Sequence, residues 1–458
     1  MNIRRLLVAN RGEIAARILR TCRQLGIDTV LAVSEADRDA LPARLADQVL
    51  VLGPGPSAQS YLNLDALLAA VRQSGADALH PGYGFLSENA QLARACEAAG
   101  IRFVGPTPQQ LDATGDKVRA REHAAAAGLP LVPGGTLTTA GEAAVLAKTL
   151  GWPVLVKAVG GGGGRGMKTV RTPDALADTL ALARREAEVA FSDNRLYLER
   201  YVEHGRHIEV QILGDGQRVI HLGTRDCSIQ RRYQKLLEEA PAPLLPAAQR
   251  TALEQAAVTF GQYLHYRGAG TVEFLYDTVR NSFHFLEMNA RIQVEHPVTE
   301  AISGIDLIAE QLRIAEGRPL RLQQADVVLH GHALECRLNA EDCRRDFRPC
   351  PGIVTRAVFA AGPGIRVDTH IEAGSQVPPY YDSLLGKLIV WGETRAAALD
   401  TLQGALATCR IDGVANNLTL HRALLREPAF REGGVDTGFL GMLLERMDFR
   451  EALADGHA

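Results

Sequence analysis

Val154-Leu155-Val156-Lys157-Ala158-Val159 runs into Gly160 through Gly164, then Arg165 and Gly166, and Met167-Lys168-Thr169-Val170 follows at once. The first six residues form an apolar, valine-rich run with a lysine near its end, and the last four return toward that character. The spacing predicts strand, glycine loop, strand. Glycine has no Cβ, so backbone N–H groups can come close to phosphate oxygens while Lys157 and Arg165 supply positive charge. The loop is not of the Walker A kind, because both the G-x-x-x-x-G-K-[ST] spacing and the helix after it are missing. Glycine runs also serve as flexible linkers. The strands on either side favour a phosphate-covering flap.

Upstream of the flap, apolar runs alternate with amphipathic helical patterns: 3–9, a helix over 13–25, 29–33, a helix over 63–72, and 78–79. That alternation predicts a parallel α/β unit. Polar and turn-forming residues at 107–116 precede a helix over 117–126 and a Pro/Gly segment at 129–135. Downstream come a helix over 173–189 and further strands to about 289. Beyond Gly331, β-like runs at 332–338, 352–359 and 384–391 and a helix over 396–409 predict a smaller α+β domain. The expected division is an amino-terminal domain over 1–113, a central domain over 114–330, a third domain over 331–446 and a fraying tail over 447–458. A glycine-rich lid is expected within the central domain, over about 130–203.

The 458 residues are 46% hydrophobic and 22% charged, the composition of a folded, water-soluble protein. A net charge of -3 without a basic run leaves no footprint for nucleic acid or an anionic membrane. No stretch approaches the roughly 18 apolar residues of a membrane span, and the first apolar run is too brief for a secretion signal. Seven scattered cysteines with no C-x-x-C pair suit reduced thiols and a cytoplasmic location.

In Glu287-Met288-Asn289-Ala290-Arg291-Ile292-Gln293-Val294-Glu295 every odd position is polar and every even one apolar or small. On a strand all the polar side chains would share one face. A strand with one solvated side reads the same way. Gly270-Thr271-Val272-Glu273-Phe274-Leu275 adds a carboxylate flanked by apolar residues, which needs a partner if buried. Glu273, Glu287 and Asn289 together make an all-oxygen set suited to Mg²⁺ bridging nucleotide phosphates, with Arg291 and Glu295 farther along the face.

Gln230-Arg231-Arg232-Tyr233-Gln234-Lys235 concentrates cations and amides before Glu238-Glu239, and reads either as a solvated loop or as a site for a small anion. His330 and His332 lack a third ligand at metal spacing, so structural roles are expected for them and for His80. His296-Pro297 is expected to end the strand.

These segments together resemble the biotin carboxylase family of the ATP-grasp fold. The resemblance rests on Asn10-Arg11-Gly12-Glu13-Ile14-Ala15, His80-Pro81-Gly82-Tyr83-Gly84-Phe85-Leu86-Ser87-Glu88-Asn89, Gly115-Asp116-Lys117, Lys157 with Gly160 to Gly166, Glu238-Glu239-Ala240-Pro241, and Glu287 through His296-Pro297. It covers about 3–446, nearly the whole chain. It implies α/β and α+β architecture: an ATP-grasp fold with an N-terminal parallel, Rossmann-like α/β domain and a C-terminal biotin carboxylase domain. It implies ATP contacts from Lys117, Lys157, Gly163, Gly164, Glu199, Arg200, Tyr201, Val202, His207 and Tyr233. Glu273 and Glu287 would hold Mg²⁺ or Mn²⁺, with Asn289 on a second ion. Lys235, Arg291, Gln293 and Val294 would bind bicarbonate, Glu295 would be its general base, and Arg337 would face the biotin ring. Arg17 and Asp382, in Tyr380-Tyr381-Asp382-Ser383, also match family motifs. The family commonly has histidine where this chain has Tyr233 and lysine where it has Arg200.

No Ala-Met-Lys-Met sequence is present, so the resemblance implies biotin brought by a separate biotin carboxyl carrier protein, carboxyltransferase subunits as further partners, and a homodimer. The implied reaction is the first half-reaction of acetyl-CoA carboxylase, in fatty acid synthesis. A propionyl-CoA, other acyl-CoA or urea-type carboxylase, an ATP-grasp ligase that does not use biotin, and a non-catalytic scaffold are the alternatives.

Overall fold

The computed structural model describes residues 2–137, 140–159, 166–191 and 193–446. The first region is a parallel sheet in the order Gln48–Gly53, Asp28–Ser34, Arg5–Val8, Ala78–His80, Arg102–Phe103. Its first crossover is the helix Gly12–Leu25, which buries Ile14, Ile18, Leu19 and Cys22 along one stripe. Gly26 ends that helix at φ +68°, a conformation that any side chain resists. The expected 13–25 helix and the parallel α/β unit both appear.

The flap strands pair as read. Val154–Ala158 runs antiparallel to Met167–Val170, inside a four-stranded sheet with Leu196–Arg200 and Gly134–Leu137. The helices Ala140–Leu150 and Leu176–Phe191 give this lid a small apolar core of its own. Gly163 and Gly164 lie outside the described residues.

An eight-stranded antiparallel sheet carries the rest, in the order Ser282–Asn289, Arg267–Asp277, Gly205–Asp215, Val219–Arg231, Gln234–Ala240, His332–Asn339, Leu384–Gly392, Ile365–Thr369. The strands either side of position 330 are hydrogen-bonded, Leu237 opposite Cys336 and Glu238 opposite Glu335, so the third region continues the central sheet. Apolar residues on one face of the added strands, Leu334, Cys336 and Leu338, build its core against the helix Arg395–Thr408.

Three local expectations need correction. The polar run from Glu287 is a strand only to Asn289; residues 290–295 turn away from the sheet. His296-Pro297 does not close a strand but opens the helix His296–Ser303, where a proline in the first turn forfeits no helical hydrogen bond. The run at 352–359 splits into Gly352–Ile353 and Arg356–Val358, because Val354 turns into the core and its N–H donates to Ser375 O at 2.9 Å. Among the described residues no helix is long and apolar enough to cross a membrane.

Candidate active site

Where the central sheet meets residues 290–295, the side chains of Glu209, Glu273 and Glu295 converge on one amine. Lys235 Nζ donates to Glu209 Oε2 at 2.6 Å, Glu273 Oε1 at 2.9 Å and Glu295 Oε1 at 2.6 Å. The lysine is the second residue of the strand Gln234–Ala240, which follows a two-residue turn, so the hairpin's register aims it inward. Arg225, with no exposed surface, braces the carboxylates from beneath: Nε donates to Glu209 at 2.5 Å, Nη2 to Gln293 Oε1 at 2.9 Å, and Nη1 to Thr299 at 2.9 Å. Gln293 and Asn289 donate in turn to Glu273 Oε1, at 2.9 and 2.8 Å.

Charge settles the protonation of this cluster. Burial alone would drive the Glu295 carboxyl up, but Lys235, Arg337 and Arg225 outweigh it and hold the group well below the usual carboxylate range. Glu273 is held down likewise, burial being outweighed by Lys235 and His207, whose Nε2 lies 3.0 Å from its Oε2. Lys235 is raised, because three carboxylates overcome its desolvation. Arg337 spans two acids, with Nε donating to Glu238 Oε1 at 2.6 Å and Nη2 to Glu295 Oε2 at 2.9 Å.

Turning off the sheet after Asn289 brings Arg291 back over the strand end. Its Nε donates to Glu88 Oε2 at 2.9 Å and its Nη2 to Asn289 Oδ1 at 2.7 Å, and Glu88 also takes the Ala290 N–H at 3.0 Å. Glu273 and Glu287 sit opposite each other in register on adjacent strands, with Asn289 beside them. Two carboxylates and an amide are ligand types suited to a hard divalent cation, but in this arrangement Asn289 turns its NH2 to Glu273 and its oxygen to Arg291, so its amide must rotate to join such a set.

Three family models together match most of the chain: "Biotin carboxylase, N-terminal domain" over residues 2–111, "Carbamoyl-phosphate synthase L chain, ATP binding domain" over 116–323, and "Biotin carboxylase C-terminal domain" over 335–442. A biotin carboxylase of Nostoc sp. is 51% identical over 443 residues, covering 96% of this chain and 99% of that one. The chain belongs to the biotin carboxylase family. A Campylobacter jejuni biotin carboxylase solved with a β,γ-ATP ligand superposes with a TM-score of 0.92 at 43% identity, over 96% of this chain and 99% of that one. The biotin carboxylase domain dimer of a Hydrogenobacter thermophilus 2-oxoglutarate carboxylase, solved with MgADP, ADP and bicarbonate, gives 0.92 and 43% over 98% and 99%. The ATP-grasp fold expected from the motifs is therefore the fold of this biotin carboxylase family member.

Of the residues singled out in the sequence, Lys235, Glu273, Asn289, Arg291, Gln293, Glu295, His207 and Arg337 form one connected network. Val294 lies between Gln293 and Glu295 in the chain but is bonded elsewhere, its carbonyl accepting from Lys387 Nζ at 2.7 Å. A second group lies toward the lid: Lys157 is paired with Glu199, and Lys117 Nζ lies 3.2 Å from Glu287 Oε2. Arg200 there donates its N–H to Pro133 O at 3.0 Å, and its Nη2 lies 3.3 Å from His284 Nε2. Val202 is buried beside it. Tyr233, at the tip of the hairpin, is 58% exposed, and burial followed by the nearby Tyr201 phenol raises its hydroxyl.

The basic hairpin reads differently from its composition. Only Lys235 enters the cluster; Arg231 and Arg232 both pair with Asp346, because the turn points them outward. Arg17 binds Glu300 and Asp306 away from the cluster, and Asp382 accepts from its own Leu384 N–H at 3.0 Å. His80 is structural, its Nδ1 accepting the Gly82 N–H at 3.0 Å. His332 meets Glu239 at 2.8 Å and His330 stacks on Trp391. Sequence reasoning passed over Glu209, Arg225 and Lys387, and quoted Glu238 in a motif without giving it a role. A signal existed for Glu209, which with Gln211 interrupts the apolar Ile208, Val210 and Ile212.

Proposed function

We propose that this chain carboxylates biotin at the expense of ATP and bicarbonate, as the first half-reaction of a biotin-dependent carboxylase. The observation that carries the reading is the Glu295 carboxylate fixed between Lys235 Nζ and Arg337 Nη2, at 2.6 and 2.9 Å. An ionised acid held between two cations, beside Arg291 and Gln293, is an arrangement that can bind bicarbonate and accept its proton. Its strongly lowered affinity for protons makes it a weak base at rest. Moving Arg337 off Glu295 and onto the ring oxygen of biotin removes one of the charges that depress it, so biotin arrival strengthens the base as it positions the acceptor.

Lys117, Lys157, Gly163, Gly164, the segment 199–202, His207 and Tyr233 are assigned to the nucleotide, and Lys235, Arg291, Gln293, Val294 and Glu295 to bicarbonate. A divalent cation held by Glu273, Glu287 and Asn289 would screen the charge of the transferring phosphoryl group. Deprotonated bicarbonate attacks the γ-phosphate to give carboxyphosphate and ADP; its breakdown delivers CO₂ and phosphate, and the phosphate takes the biotin N1 proton. Arg337 then stabilises the enolate-like oxygen of biotin. The lid sheet, with its own core, can move as a unit to exclude water.

The division at 113, 330 and 446 is assigned to N-terminal, ATP-grasp and biotin carboxylase C-terminal domains. The protein is assigned to the cytoplasm, as a homodimer working with a biotin carboxyl carrier protein and carboxyltransferase subunits. Acetyl-CoA is the proposed final acceptor. The test is phosphate release from ATP by the purified chain with Mg²⁺ and bicarbonate, with and without free biotin. Biotin-stimulated release supports the reading; bicarbonate-dependent release indifferent to biotin overturns it in favour of another ligase.

A further inference from the structure

Glu335, on the strand His332–Asn339, has no exposed surface, and among the described residues neither of its carboxylate oxygens meets a hydrogen-bond donor. Directly across the sheet stands Glu238, also wholly buried. Its Oε1 takes the Arg337 Nε at 2.6 Å, while its Oε2 has no partner. Residues directly opposite on antiparallel strands carry Cβ atoms about 4.5–5.5 Å apart on the same face, so the two carboxyls are neighbours. On Glu335's other side the register supplies only Ile389, part of an apolar cluster with Val298 and Ile302.

The charged groups around the pair are otherwise committed. From the strand Leu384–Gly392, Lys387 donates to Val294 O at 2.7 Å and lies 3.2 Å from Glu13 Oε1. Lys235, on Glu238's own strand, is bound by Glu209, Glu273 and Glu295. From the helix His296–Ser303, burial keeps His296 neutral, and Glu300 pairs with Arg17 and Arg366. His332, farther along Glu335's strand, is bound to Glu239. Two adjacent buried carboxylates cannot both stay ionised cheaply, and unpaired buried oxygens carry their full desolvation cost. A single O–H between them answers both demands.

We propose that Glu238 and Glu335 share one proton, Glu335 as the acid donating to Glu238 Oε2, and that this pair positions Arg337 and sets the charge behind it. The inference rests on the placement of Arg337 at biotin made above. Burial pushes the Glu335 carboxyl well above the usual range, with Lys387 opposing and Glu238 adding to the rise; Glu238 is itself pushed up to about 7, burial again leading. With their unpaired oxygens facing across the sheet, the pair holds this proton more firmly than an ordinary carboxyl does, and gives it up as the pH rises. Its loss puts a second negative charge behind Arg337, drawing the guanidinium back from Glu295 and from the biotin oxygen. Glu335 thus acts as a positioning residue through Arg337.

The test uses full-length protein, Glu335→Gln and Glu335→Ala, with infrared difference spectra and biotin-dependent ATP turnover recorded from mildly acidic to alkaline pH. The expected wild-type spectrum contains the carbonyl stretch of a buried carboxylic acid, absent from Glu335→Gln. Glu335→Ala loses the donor to Glu238 and turns over on the order of tenfold more slowly at saturating ATP. Glu335→Gln, whose amide still donates, restores most of that loss and lacks the alkaline one-proton fall. No acid band in the wild type, or an alkaline fall unchanged in Glu335→Gln, overturns the proposal. If Glu335→Ala does not fold, the Gln spectrum and pH profile decide it. If the wild type shows no biotin-dependent turnover, the functional reading fails, and the infrared band alone decides whether the proton is shared.

Discussion

On the lid side of the cleft, Lys117 reaches Glu287 across 3.2 Å with the two side chains 51% and 38% exposed; on the sheet side, Lys235 sits among three carboxylates with 11% of its own surface exposed. The first kind of pair is screened by water and readily exchanged, contributing about 0–1 kcal/mol. The second has been stripped of water and fixed by several partners at once, so it cannot rearrange without leaving a buried charge uncompensated. The difference matches the order of events the chemistry needs. On the roles proposed above, Lys117, which would let go of a carboxylate to take a nucleotide phosphate, is held loosely, and Lys235, which would fix a small anion beside its base, is set before that anion arrives.

The sharpest way to break that contrast is Lys235→Met. Three buried carboxylates lose their common counter-charge, so unfolding in urea should come earlier by about 3–5 kcal/mol and turnover should vanish. A loss below about 1 kcal/mol would mean the sheet side is as pliable as the lid side. Glu295→Gln probes the same cluster from its other end. Lys235 keeps Glu209 and Glu273, so stability should change far less than for Lys235→Met, while ATP turnover falls by about 10²–10⁴ through loss of the base. Equal destabilisation by both variants would make Glu295 a structural acid.

Both sides of this contrast were only half legible in the sequence. Local patterns of turn, strand and charge pointed to Lys157, Lys235, Glu273 and Glu295, and the family resemblance added Lys117 and Arg337. The pairwise partners of these residues come from strands distant in sequence: Glu209 meets Lys235 across the sheet, and Arg337 meets Glu238 only because the third region extends the central sheet. Period-two alternation gave the polar face of 287–289 correctly and then misled beyond it. Alternation records which side chains avoid the core, and a turn packed against Glu88 can meet that demand as well as a strand. The basic hairpin stayed open between a solvated loop and an anion site for a related reason, since composition reports charge but not the direction a turn gives it.

Lys117→Gln sharpens the lid side. The lysine should be worth little to the fold, with stability within about 0.5 kcal/mol of wild type, yet KM for ATP should rise roughly tenfold as a phosphate-facing charge is lost. The penalty should shrink in high salt, because this side is open to screening. A variant that unfolds instead would place Lys117 with the locked residues.

The smallest effect is expected at Tyr233, where this chain carries a phenol in place of the family's common histidine. Arg232 and Tyr233 occupy the left-handed region, with φ of 48° and 66°, and the turn they form is pinned from outside by Arg231 and Arg232 on Asp346 and by the Arg231 guanidinium 4.2 Å over the Phe347 ring. The anchors hold the turn whatever side chain stands at 233, and Lys235 inherits its position from the turn rather than from the phenol. Tyr233→His should therefore leave stability within about 0.5 kcal/mol and turnover nearly unchanged, with KM for ATP shifted by no more than about threefold. Equilibrium unfolding and ATP titration of the variant check this. A large fall in turnover with KM unchanged would show that the tip residue, and not its anchored backbone, sets the lysine, and would move Tyr233 from the exchangeable side of the cleft to the fixed one.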